Sequence, residues 1–117
     1  MTGVGATRKI SWIKAAQRDF AGFPAKARKR AAEALTVVAE GATPEIAKPL
    51  TGLGSGVWEL AIREQGNAYR VVYLLQIGED IWVVHAFQKK SKTGIATPKH
   101  DIDLVRERIK RLMEALR

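Results

Sequence analysis

The chain has 117 residues, no cysteine, and 20 Lys+Arg against 12 Asp+Glu, which leaves a net charge of +8. That length suits one domain around a single core, expected over residues 1–117 with a flexible Gly-rich start at 1–7. The missing thiols exclude disulfides and thiolate metal sites, and no run approaches the ~18–20 apolar residues of a membrane span. The expectation is a soluble cytoplasmic protein without a cofactor, whose basic surface meets a polyanion or an acidic protein partner.

Arg8 to Ile13 reads as a short first strand with Ile10 and Trp12 on one face. Lys14 to Phe20 follows as a short helix ended by Gly22, and Pro24 suits the first position of a second helix. Ala25 to Glu40 is rich in strong helix formers, with an apolar stripe at Ala27, Ala31, Ala34, Leu35 and Val38 and a terminating Gly41. From Ala42 to Ser55 the prolines and glycines predict no regular element. Gly52 to Gly56 lacks both the Gly-Lys-Ser/Thr ending and the following helix of a phosphate loop, so it reads as a flexible entry to a β-hairpin.

Three strands are predicted at Val57–Arg63, Tyr69–Ile77 and Ile81–Gln88. A turn centred on Gly66-Asn67 sets Arg63 directly opposite Arg70, with Ile62 facing Val71, Leu60 facing Tyr73 and Trp58 facing Leu75. Both arginines then point out of the face opposite the apolar pairs. Like charges so close, about 5 Å between side-chain carbons, repel unless an anion sits between them, and phosphate suits two guanidinium groups. A second turn at Gly78-Glu79 pairs Val72 with His85 and Arg70 with Phe87. His85, Phe87 and Lys89 then share the arginine face, while Trp82, Val84 and Ala86 join the buried one; a three-residue loop would reverse this.

Lys89 to Gly94 forms an exposed basic exit, and Thr97-Pro98 opens the last helix as N-cap and first turn. Asp101 and Asp103 early in that helix and Arg106, Arg108, Lys110, Arg111 and Arg117 later complement its dipole. Ile102, Val105, Ile109, Leu112, Met113 and Leu116 form its packing stripe. The order β-α-α-β-β-β-α predicts an α+β fold: a small twisted antiparallel sheet covered on one face by two helices, with the other face open.

His85 is either a catalytic acid–base group, since imidazole titrates near neutrality, or a strand histidine satisfied by its neighbours. His100 reads as a surface residue; Tyr69, Tyr73 and the three tryptophans read as core. Two histidines without cysteine make no zinc site. Lys26, Arg28, Lys29 and Arg30 lie on the solvated side of the second helix, where Arg28 and Lys29 are candidates for contact with ribosomal RNA.

The run Lys48-Pro49-Leu50-Thr51-Gly52, then Val57-Trp58-Glu59-Leu60, Tyr69-Arg70-Val71-Val72-Tyr73, Val84 to Lys92 and Thr97-Pro98 resembles the RelE/ParE toxin superfamily, and within it the phage-related HigB-like branch. The likeness extends from Ile10 to Arg108. It implies a RelE-like fold and a type II toxin that cleaves mRNA on the translating ribosome without metal. A co-encoded antitoxin, expected to carry a helix-turn-helix DNA-binding domain, would neutralise it. It assigns Arg70, Arg63, Lys89 and Lys90 to catalysis, with Lys92 in the same basic cluster; His85 is the candidate acid–base group from its chemistry, and Lys92, Lys48, Arg28 and Lys29 are the candidates for RNA phosphates. Many relatives carry a basic residue where this chain has Ala61, which removes one expected phosphate contact. A ParE-like gyrase inhibitor and a noncatalytic RNA-binding homologue are the alternatives on the same scaffold.

Overall fold

Alanine-rich helical periodicity and three apolar strands assemble, in a computed structural model that describes residues 7–75, 79–90 and 96–116, into helices on both sides of one sheet. The elements are β1 (Ile10–Trp12), α1 (Lys14–Ala21), α2 (Ala25–Ala39), β2 (Ala47–Pro49), β3 (Val57–Glu64), β4 (Asn67–Leu74), β5 (Ile81–Lys89) and α3 (Lys99–Ala115). The sheet has five strands in the order β1-β5-β4-β3-β2, antiparallel except where β1 runs parallel to β5. The stretch expected to be irregular therefore contributes an edge strand, β2, paired to β3 from Ala47↔Leu60 to Pro49↔Trp58. Its pairing depends on a neighbour distant in sequence, and Pro49 is tolerated because the strand is at the edge.

α1 and α2 cover one face. Ala27, Ala31, Ala34, Leu35 and Val38, the expected stripe, are all buried against Leu60, Ile62, Tyr69, Val71 and Tyr73. Each buried leucine, isoleucine or valine of this set contributes about 1.5–3 kcal/mol, and each alanine methyl less. Burial also pushes the Tyr73 phenol up to about 12. Gly41 follows the helix end with φ 95°, a left-handed conformation that glycine adopts without strain. Pro24 sits one residue ahead of α2 rather than inside it.

The opposite face is not open. α3 packs Val105, Ile109 and Leu112 onto Val57, Val72, Leu74 and Val84. Met113 and Leu116, expected in that stripe, stay 50% and 47% exposed. Pro98 rather than Thr97 occupies the N-cap position of α3.

Two register features matter for the site. The β3–β4 turn centres on Gln65-Gly66, not Gly66-Asn67: Glu64 pairs with Asn67, and Gln65 (φ 50°) and Gly66 (φ 80°) supply the two positive φ angles. Arg63 is consequently opposite Ala68, Arg70 opposite Ala61 and Trp58 opposite Tyr73. This register avoids the head-on arginine pair by setting each arginine across from an alanine. The displacement is two residues, so every side chain keeps its face.

The second feature is a bulge. Val72 pairs with His85 and Arg70 with Phe87 as expected, but Tyr73 pairs with Val83, leaving Val84 as the extra residue. Past the bulge the faces exchange. Ile81, Val83 and Ala86 pack toward α1 and α2, whereas Trp82 and Val84 pack toward α3, against the expectation that they would join Ala86. Gln76 to Gly78, the start of the second predicted turn, and all of 1–7 except Thr7 lie outside the described residues.

Candidate functional site

At the hairpin end of the α3 face, strand pairing lines up side chains in rows across the sheet. One row runs Arg63, Ala68, Lys89; the next runs Ala61, Arg70, Phe87; the third runs Lys48, Glu59, Val72, His85. Arg63 and Arg70 are thus diagonal neighbours on one face, a separation of about 7–8 Å between strand positions. They do not share one environment. Arg63 is exposed, whereas Arg70 is 6% exposed and its guanidinium donates from Nη1 to Glu59 Oε1 at 2.7 Å. The expected pair of solvent-facing arginines is corrected to one exposed cation beside one buried ion pair.

Glu59 is the residue that sequence reasoning missed. It is 0% exposed and holds both Arg70 and, through Oε2, the Thr97 hydroxyl at 2.7 Å. Three elements meet there: β3, β4 and the approach to α3. The Thr97 hydroxyl is committed to this carboxylate rather than to a helix cap. Taking two charges out of water costs several kcal/mol per ion, about the scale that their pairing and further hydrogen bonds offset. Arg70 Nε is buried with no hydrogen-bond partner among the described residues. A signal did exist in the sequence: a lone acid between Trp58 and Leu60, on the parity of the arginines.

His85 lies one row further along, 3% exposed and stacked on Phe87 with ring centroids 4.9 Å apart. Arg108 Nη1 lies 3.1 Å from His85 Nδ1, and Asp101 Oδ1 lies 2.7 Å from His85 Nε2. A guanidinium only donates, so Nδ1 accepts and Nε2 carries the proton that goes to Asp101. The imidazole is therefore neutral, in one tautomer, with neither nitrogen free. Burial lowers its pKa, outweighing the hydrogen bond and charge of Asp101, which raise it, while Arg108 adds to the lowering. Burial likewise lowers the pKa of Arg108, which also donates to the Val84 carbonyl at 2.9 Å. Sequence position marks Asp101 only as a helix-start charge; its partner emerges from tertiary packing.

The remaining predicted residues spread outward. Lys89, expected in an exposed exit, belongs to β5 and is 8% exposed, while Lys90 beside it is exposed. Lys48 is half-buried opposite Glu59. Arg28 and Lys29 are exposed on α2, Arg28 donating from Nε to the Phe23 carbonyl, and the neighbouring Arg30 donates to the Arg63 carbonyl. This links α2 to the hairpin but does not bring Arg28 or Lys29 into the rows. Lys92 lies outside the described residues. His100 is exposed, and Tyr69 and Tyr73 are core, as expected. Among the described residues no helix is long and apolar enough to cross a membrane.

Comparison with known proteins agrees with this architecture. A double arginine-to-alanine mutant of the E. coli toxin RelE in the free state superposes with a TM-score of 0.63, covering 91% of this chain and 98% of that one at 16% identity. That likeness is one of fold. No curated protein sequence matches the chain. The profile of the family described as phage derived protein Gp49-like matches residues 18–110, most of the length. The chain belongs to the phage-derived Gp49-like family, and its fold is like that of RelE.

Proposed function

We propose that the protein is the toxin of a toxin–antitoxin pair and acts as a metal-independent endoribonuclease on mRNA at the ribosome, in the cytoplasm, restrained by an antitoxin with a DNA-binding domain. Within the superfamily the reading places it in the HigB-like branch, on the order of its Trp58-Glu59-Leu60, Tyr69-Arg70-Val71 and His85 to Lys90 motifs. The observation that carries it is the set of adjacent rows bearing Arg63, Arg70 and Lys89 on one face of a RelE-like sheet, in a chain of net charge +8.

In this mechanism the 2′-oxygen of one nucleotide attacks the adjacent phosphorus, the bond to the 5′-oxygen breaks, and charge accumulates on a five-coordinate phosphorus between them. Fixed cations aimed at that charge lower the barrier most. Arg63 and Lys90 offer exposed charge for the phosphate backbone, and Arg70, oriented by Glu59, supplies a preorganised guanidinium beside them. His85 can accept the 2′-proton only after its Arg108 contact opens, because a general base needs a free lone pair.

One observation favours a second reading. Glu59 already neutralises Arg70, which suits a noncleaving RNA binder better than a catalyst. Mapping transcript 5′ ends after induced expression separates the two. New ends and growth arrest, both reduced at least tenfold in an Arg63→Ala/Lys90→Ala variant and partly kept in Arg70→Lys, support cleavage. Intact transcripts with salt-dependent ribosome binding support the binder. Intact transcripts with a DNA-damage response overturn both in favour of gyrase inhibition.

A further inference from the structure

Guanidinium and carboxylate groups often pair in two-pronged fashion, two parallel N–H donors on two oxygens. Glu59 gives Arg70 only one oxygen. Its Oε1 accepts from Nη1 at 2.7 Å, while Oε2 accepts from the Thr97 hydroxyl at 2.7 Å. That hydroxyl has a single proton, and this bond uses it. Nη1 is the amino group turned away from the Nε–H. The other edge of the guanidinium, Nε with Nη2, therefore makes no hydrogen bond among the described residues, and Nε is buried without a partner. Such a buried N–H is rare in native proteins, where water, an ion or a ligand commonly completes it.

Two neighbours indicate the missing partner. Ala61, directly across from Arg70, is half-buried and puts only a methyl group beside it. Arg63, two residues further along β3, is exposed, so an anion over Ala61 lies between two arginines. The Nε–Nη2 edge carries the parallel N–H pair that matches two oxygens of a phosphate. We propose that Thr97 is a positioning residue: by occupying Glu59 Oε2 it holds the ion pair to one prong and keeps the Nε–Nη2 edge of Arg70 for a backbone phosphate. The proposal rests on the RNA reading above for the source of that phosphate. Without the hydroxyl, Oε2 is a buried acceptor lacking a donor, and Nη2, bonded to the same carbon as Nη1, is placed to supply one. The pair then closes through Nη1 and Nη2, and the phosphate fork loses one of its two teeth. With the hydroxyl in place, Glu59 orients Arg70 without consuming it.

The test follows the Arg70 Nε–H by NMR in the isotope-labelled full chain, the signal being assigned by its absence in Arg70→Lys. A short 2′-O-methyl RNA strand, whose blocked 2′-oxygen prevents cleavage, is the probe. In the wild type the signal should move as the strand is added. Thr97→Val, close in shape but without the hydroxyl, should bind the strand about tenfold more weakly, the scale of one lost hydrogen bond to a charged group. Thr97→Ser restores the hydroxyl and should bind within about twofold of the wild type. A wild-type Nε–H that RNA does not move overturns the proposal, whether or not Thr97→Val folds. So does a Thr97→Val variant that binds like the wild type, or a Thr97→Ser variant as weak as Thr97→Val. Transcript end maps keep the two proposals apart: new ends with an unmoved Nε–H sink the positioning role alone, and an Nε–H moved by RNA without new ends sinks the nuclease alone.

Discussion

The two faces of the sheet are built from the same three strands and could hardly differ more in chemistry. Toward α1 and α2 the buried side chains are apolar or tyrosine: Leu60, Ile62, Tyr69, Val71, Tyr73 and Val83. Toward α3 lie Glu59, Arg70, His85 and Lys89, the charged or ionisable groups buried among the described residues beside those tyrosines. A fold that needed only stability would use one solution on both faces. The α3 face instead retains polar groups whose desolvation is unfavourable, which is where functional constraint most often departs from optimal packing.

The comparison breaks most severely at the buried pair. Arg70→Ala leaves the Glu59 carboxylate buried without its cation and should cost about 3–5 kcal/mol in urea unfolding, whereas Glu59→Leu/Arg70→Met should recover most of that. A double variant as unstable as the single one would mean that the pair is not the source of the loss. On the opposite face, Leu60→Ala should cost about 3 kcal/mol through a cavity, and no second substitution at a charged site should restore it. Arg70→Ala is accordingly a poor test of catalysis unless folding is checked first.

His85 sharpens the contrast through pH. Its folded pKa lies below the ordinary value of about 6.5, so above that pH both states hold it neutral and it contributes no slope. As pH falls from about 6.5 toward the depressed folded value, the unfolded chain binds a proton that the folded chain resists, with Arg108 facing Nδ1 and Asp101 and Asp19 opposing the effect. Stability should decline in that window by at most ~1.4 kcal/mol per pH unit, and His85→Gln should flatten the decline. A decline unchanged in His85→Gln would assign it to other groups.

Smallest in stability are the exposed cations. Arg63→Ala and Lys90→Ala should each shift unfolding by no more than about 0.5 kcal/mol. Each should nonetheless reduce the salt dependence of single-stranded RNA binding, by about 0.7 in log–log slope per lost phosphate contact. An unchanged slope would remove that residue from the RNA path.

Local pattern made most elements legible. Helical spacing in Ala27 to Val38, alternation in Val57 to Arg63 and the positive-φ demand met at Gly66 and Gly41 depend on near neighbours, and each appears where the periodicity puts it. Side-chain parity on β3 and β4 was legible for the same reason, because a two-residue displacement conserves it. β2 was not, since a three-residue edge strand acquires its hydrogen bonds only from β3. The candidate site was half legible. Its arginines and lysines stand out as charges among apolar strands, but their environments do not.

What the amino-acid order alone determined is which residues alternate, that the chain turns near Gly66 and that a set of basic strands would form. Tertiary structure decided the rest: the offset of Arg63 from Arg70, the bulge at Val84, the Glu59 carboxylate under Thr97, and the capture of His85 between Asp101 and Arg108. Each of the side-chain contacts among these joins segments 16 to 38 residues apart. Burial and charge pairing at such separations follow from how α3 docks, and that docking is a property of the assembled core rather than of any local run of residues.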